Sequence, residues 1–246
     1  MIGTFPLALT FLTIIPWPRQ APVTGEALAR SMLWFPWVGA ILGAALWGAW
    51  LGLVRILPGP AAAAFILTLS VWLTRGLHLD GLADTADGLL GGSTPEQSLR
   101  IMKDSRLGGL GGVALILTLL LKFALILGVT DQGQAAALLV YPVVSRWGMV
   151  VLAYLAPYAR PEGGLGQAMV TGVDRNILLG ATAGALILAA GLGRLPGLAA
   201  LALAAGAVGL LCAYFLRRLG GITGDTLGAA NEILEILALL ALSVVG

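Results

Sequence analysis

Residues 109–128 read GLGGVALILTLLLKFALILG, and this stretch decides the fold. A single charge, Lys122, interrupts a run of apolar and small residues. An α-helix needs about 20 such residues to cross the hydrocarbon core of a bilayer. The run does not alternate as a membrane β-strand would, and it has no polar face for water. Working outward, comparable stretches fall at about 32–54, 60–79, 134–156, 176–193 and 196–216, and from about 230 to the C-terminus. The reading is an all-α, polytopic integral membrane bundle of about seven spans. An apolar stretch at about 2–15 is too short for a full span. It reads as an interfacial or re-entrant helix ended by Pro16 and Pro18.

Composition agrees. The chain is 59% hydrophobic and 11% charged, where soluble domains carry about 25% charged residues, and its mean hydropathy is +0.96. That leaves too little polar surface for a soluble shell. Residues 1–246 read as one membrane-embedded domain, without a soluble domain, long linker or regular repeat. No cleavable signal peptide is expected in MIGTFPLALTFLTIIPWP, which lacks a basic n-region. The lone Cys212 excludes an intrachain disulfide or a multi-cysteine metal site. A net charge of +2 without a basic, aromatic-laced stripe excludes nucleic acid as partner. Trp17, Trp34, Trp37, Trp47 and Trp50 read as interface anchors and packing residues, and Gly39 and Gly43 as a close-packing pair.

Charge placement orients the chain. Arg19, Arg30, Arg75, Arg100, Lys103, Arg106, Arg160, Arg175, Arg217 and Arg218 fall on one side of the expected spans. The other side holds little beyond Arg55 and Arg194, with Lys122 near it. The positive-inside rule makes the first side cytoplasmic, and both unusual polar segments lie there.

The first polar segment, residues 75–92, reads RGLHLDGLADTADGLLGG. Asp80, Asp84 and Asp87 are spaced i, i+4, i+7, one face of a helix. Five of the chain's 12 acidic residues lie between Asp80 and Asp104. Unpaired carboxylates so close to a bilayer are costly, and a divalent cation offsets their repulsion. Oxygen-only donors favour Mg2+, with Mn2+ the near alternative; a zinc site using His78, the only histidine, is the less favoured one. A solvated helix end is the plainer account of the same acids. Arg100, Lys103 and Arg106 follow at i, i+3, i+6, suited to phosphate oxygens, although positive-inside anchoring would account for one or two of them. The glycines at 108, 109, 111 and 112 allow a tight turn or close backbone approach but form no P-loop.

The second segment, residues 217–232, reads RRLGGITGDTLGAANE. Its glycines place a helix start near Asp225, with Glu232 on the same face seven residues on. These acids suggest a second metal or the closing wall of the first site. Asn231, Ser145 and Arg146 are lesser candidates. Arg146 sits inside an expected span, either as a buried partner for a carboxylate or phosphate or snorkelling to the surface. Metal-binding carboxylates beside cations suit phosphoryl or nucleotidyl transfer.

The segments HLDGLADTADGLLGG, MKDSRLGGLGG and GGITGDTLGAANE, together with FLTIIPWP and WFPWVGAILG, resemble the signature regions of the cobalamin synthase family, the adenosylcobinamide-GDP ribazoletransferases, along essentially the whole chain. The resemblance implies a Mg2+-dependent membrane enzyme. It would join adenosylcobinamide-GDP to α-ribazole, or to α-ribazole 5'-phosphate, releasing GMP and closing the nucleotide loop of cobalamin. Substrates and membrane lipid are then the expected partners, a homo-oligomer is compatible with the reading, and the expected location is the bacterial cell inner membrane with a cytoplasmic active site. Asp80, Asp84, Asp87 and Asp225 are the expected metal ligands. Asp84, Lys103, Arg106 and Asp225 are the expected catalytic groups, with Lys103 and Arg106 on phosphate. His78, Arg100, Asp104, Arg146 and Glu232 stand second. A phosphotransferase acting on CDP-linked alcohols would need an arginine after Asp80-Gly81 that LADTADG lacks. A transporter would place its polar groups near the midplane, often within repeats.

Overall fold

The computed structural model describes residues 2–18 and 23–245, so Arg19 of the basic set lies outside the described residues. The helices are α1 (Phe5–Leu12), α2 (Gly25–Ser31), α3 (Phe35–Leu53), α4 (Gly59–Leu73), α5 (Leu77–Gly91), α6 (Pro95–Ile101), α7 (Gly109–Asp131), α8 (Ala137–Leu155), α9 (Leu165–Gly172), α10 (Arg175–Leu219) and α11 (Gly224–Val245). Among the described residues there is no strand beyond an isolated bridge between Tyr158 and Ile222. Local signals place the helix starts. Proline opens α1, α3, α4 and α6, where its missing N–H costs nothing. Thr24, Thr94 and Asp174 accept from the N–H groups of Ala27, Gln97 and Ile177.

α8 is the axis of the bundle. Most of its residues are buried, and α3, α10 and α11 pack around it. The α3 contact explains Gly39 and Gly43: a Cβ there would stand 2.4 Å from the Pro142 carbonyl oxygen and 2.6 Å from that of Leu139. α7 lies at the rim, exposing Val113, Ile116, Leu117, Leu120 and Leu121, an apolar face matched to lipid rather than water. Lys122, expected near the far membrane face, is instead turned inward and buried at 2% exposure. Trp50 is likewise a core residue rather than an interface anchor, while Trp37 and Trp47 are exposed.

Among the described residues, five helices are long and apolar enough to cross a membrane, or six if the bent pair α4–α5 counts as one. Of the seven expected spans, one is bent within its length, and one expected join is found as a break inside a long helix. The stretch 60–79 is not one straight helix: it bends by 86° between α4 and α5, at Arg75 and Gly76, with φ of 56° and 64°. The expected spans 176–193 and 196–216 are the two limbs of α10, which breaks at Arg194 (φ 51°, ψ −137°) just before Pro196. A Cβ on Gly197 would meet the Ala189 carbonyl oxygen at 2.4 Å. In a straight helix those residues lie about 12 Å apart along the axis, so the limbs fold back on each other. The short α1 buries Ala8, Leu9 and Leu12. The chain leaving it is tied to the α4–α5 bend, where Ile14 N–H donates to Leu73 O (2.8 Å) and Arg75 to Thr10 O (3.1 Å).

These turns bring the connectors between α5 and α7, between α8 and α10, and between α10 and α11 to one end of the bundle. Lys103 pairs with Glu162, Arg160 with Asp225, and Arg218 donates to Leu89 O. At the other end, Gly59 approaches Asp131 and Gly193 approaches Val140.

Candidate active site

The site is built where α5 meets the first turn of α11. α5 is helical through Asp80, Asp84 and Asp87, so the spacing does place the three carboxylates along one side. The opposite side buries Leu82, Thr85 and Leu89. Two glycines set the distance to α11: a Cβ on Gly81 would stand 2.8 Å from Asp225 O, and one on Gly228 would stand 3.2 Å from His78 O. Asp225 is thereby set against the acidic row, and the expected packing of the two polar segments is realised.

The start of α11 is held locally. Thr223 and Thr226 cap each other, Thr223 N–H donating to Thr226 Oγ1 (2.8 Å) and Thr226 N–H to Thr223 Oγ1 (3.2 Å). Gly220 closes α10 in the left-handed region, φ 74°. Gly221 lies so close to Pro157 that a Cβ would stand 2.5 Å from its carbonyl oxygen. This junction brings Arg160 to the site, where it donates to Asp225 Oδ2 at 2.5 Å. Arg160 figured in the sequence only as one more basic residue. Its signal was faint: a single cation in the polar connector YARPEGG.

The charges do not balance. Asp84 feels Asp80, Asp225 and Asp87 as like charges, with Arg160 the opposing cation. Asp87 is partly committed elsewhere: it accepts from Gly108 N–H and Gly111 N–H, both at 2.8 Å, and so anchors the start of α7 where free N–H groups favour an anion. This accounts for two of the four glycines, because a Cβ at Gly108 or Gly111 would collide with the Asp87 carboxylate, while Gly109 and Gly112 face open space.

Arg100, Lys103 and Arg106 do not share a helical face, because α6 stops at Ile101 and the following residues form a turn and loop. Pro95 opens α6 and glycines precede α7, leaving no continuous helix over 100–106. Lys103 is paired with Glu162, and Arg106 donates to Asp104 Oδ2 at 2.6 Å with its side chain 87% exposed. The Arg106 hydrogen bonds hold the Asp104 carboxyl down to about 2, and Lys103 lowers Glu162. Arg100 is exposed.

Glu232 and Arg146 belong elsewhere. Two to three turns below Asp225, Lys122 Nζ donates to Glu232 (2.9 Å) and Glu235 (2.5 Å), and Arg146 Nη1 donates to Glu235 (2.8 Å). Asn231 Nδ2 adds a bond to Glu235 (3.2 Å), and Ser145 Oγ accepts from Arg146 (3.1 Å). All are buried. Glu232 is therefore a core residue and not a wall of the acidic site. Arg146 is the buried carboxylate partner rather than a snorkelling side chain. Glu235, which closes the network, was not singled out in the sequence.

Two hollows flank Asp80. One, about 500 Å³, is lined by Arg75, Leu79, Asp84, Ser105, Leu107 and Leu115. The other, about 300 Å³, lies between α5, α11 and the connector bearing Arg160, and is lined by Phe11, His78, Met149, Tyr158, Met169 and Asp225. Among the described residues no three His, Cys, Asp or Glu side chains are already gathered closely enough to hold a metal.

Fold and site together define a helical membrane protein with an acidic, cation-edged hollow at one end of its bundle. Residues 4–243 match the family model described as cobalamin-5-phosphate synthase, and the chain belongs to that family. It is 45% identical to an adenosylcobinamide-GDP ribazoletransferase of Syntrophobacter fumaroxidans, covering 98% of each chain. Proteins of the same name from Ectopseudomonas mendocina (45%, covering 96% of this chain and 97% of the relative) and Desulfitobacterium hafniense (41%, 95% and 94%) are similar over nearly their full lengths. No solved structure matches the chain.

Proposed function

We propose that this protein is an adenosylcobinamide-GDP ribazoletransferase of the bacterial inner membrane, acting at the cytoplasmic face. A ribose hydroxyl that α-ribazole and its 5'-phosphate both keep free attacks the cobinamide-linked phosphorus of adenosylcobinamide-GDP. The new P–O bond forms as the bond to GMP breaks, and the hydroxyl proton leaves to a base. The observation that carries this reading is the under-compensated acid cluster of Asp80, Asp84 and Asp225, with Arg160 at its edge. Arg75, Lys103 and Arg106 lie in connectors of the same end, and Arg218 in the last turn of α10 beside them, which supports the cytoplasmic assignment.

An all-oxygen carboxylate set suits a hard cation, and the surplus negative charge around Asp84 fits one. Asp80, Asp84 and Asp225 would hold Mg2+, which when bound offsets charge on the transferring phosphate. Arg160, steadied by Asp225, is placed to meet phosphate oxygens. Lys103 and Arg106 sit on the loop bordering the wider hollow, where exchange of their carboxylate partners for phosphate needs only side-chain movement. An aspartate not engaged with metal orients the attacking hydroxyl or takes its proton.

Purified protein in detergent or liposomes, given adenosylcobinamide-GDP, α-ribazole and Mg2+, is expected to form adenosylcobalamin and GMP only when metal is present. Asp84→Asn is expected to lower the rate at least about a hundredfold, several kcal/mol of transition-state stabilisation. No product from folded wild-type protein with either acceptor would sink the assignment.

A further inference from the structure

We propose that the smaller hollow beside Asp80 receives the benzimidazole base of the acceptor nucleoside against its apolar inner wall. The inference rests on the transferase reading and assigns part of that site. The hollow holds about 300 Å³, at the small end of ligand pockets. That leaves room for a nucleoside and far too little for a corrin ring.

Its walls are graded. Met149 and Met169 are each 3% exposed and Leu227 is 2% exposed, and Phe11 adds an aromatic face from α1. Asp80 is exposed and Asp225 and Arg160 half-buried, so the charged groups form the outer wall. A nucleoside seated base-inward brings its ribose hydroxyls to those carboxylates. Methionine side chains adapt to flat rings and make favourable sulfur–aromatic contacts.

The inner wall also selects the base. A guanine carries several donors and acceptors around its rim, and each buried without a partner is costly. Benzimidazole presents apolar edges and one free ring nitrogen. His78 is 3% exposed, lines the hollow, and its Nε2 is buried without a hydrogen-bond partner among the described residues. With that nitrogen closed to water, the inner wall offers a base few polar partners, which suits benzimidazole better than guanine.

The test is calorimetric binding of three ribosides to detergent-held protein: α-ribazole, its indole counterpart without the free nitrogen, and a purine riboside. Wild type is expected to bind α-ribazole and the indole compound at least about tenfold tighter than the purine riboside, tenfold being about 1.4 kcal/mol. Met149→Trp and Met169→Trp, which fill the hollow from two sides, are expected to raise KM for α-ribazole about tenfold and leave KM for adenosylcobinamide-GDP within about twofold. Equal binding of the purine riboside by wild type, or Trp variants that weaken only the corrinoid donor, would overturn the proposal. If neither Trp variant elutes as a folded species, the riboside series on wild type decides. Tight α-ribazole binding without turnover would reject the transferase and keep the pocket. Turnover with no preference over the purine riboside would do the reverse.

Discussion

α11 carries acidic residues at two depths, and they live in different circumstances. Asp225, in the first turn, is half-buried beside Asp80 and Asp84 and has a single cation, Arg160, within bonding distance. Glu232 and Glu235 are 4% and 2% exposed, and Lys122 and Arg146 match them one cation for each carboxylate. Where apolar helices shut out water, acids must be matched internally. At the bundle's end, where water reaches, an excess of one sign can stand until a cation or phosphate ligand arrives. The deep set joins α7, α8 and α11; the shallow set is free to do chemistry.

Lys122→Met should break the deep region hardest. It leaves two buried carboxylates short of a partner and is expected to cost about 3–5 kcal/mol, read as a large drop in Tm in detergent. Adding Glu232→Gln should restore more than half of that loss, as coupled sites do; a purely additive double variant would deny that the charges act as one network. Asp225→Asn tests the shallow region. Activity is expected to fall about a hundredfold while Tm moves by no more than a few degrees, so a collapse of Tm with activity would erase the distinction. Asp87→Ala sharpens the boundary between the two. Loss of the anchor on Gly108 and Gly111 is expected to cost about 0.5–2 kcal/mol, the range for helix caps. Exchange of the α7 amide hydrogens should quicken at residues 109–112, whereas an unchanged exchange pattern would leave Asp87 without its anchoring role.

Much of this molecule was legible beforehand. Helix spans follow from apolar length because a bilayer forces backbone groups to pair within each segment. A period of 3.6 residues is enough to align Asp80, Asp84 and Asp87. The three-cation face over 100–106 failed because Pro95 and the glycines before α7 shorten the helices on either side. The bend within 60–79 escaped notice because left-handed Arg75 and Gly76 leave no mark on hydropathy, whereas Pro196 marked the break at Arg194.

The sequence by itself determined a helical membrane protein, the end of the bundle that gathers charge, and the acids that line it, since these depend on composition and short-range periodicity. Only the tertiary structure decided which charges meet. Arg160 reaches Asp225 across 65 positions and Lys122 reaches Glu235 across 113. Ion pairing is a matter of distance in space, and a chain that folds back at Gly220 and Arg194 sets those distances by packing, which no local pattern records.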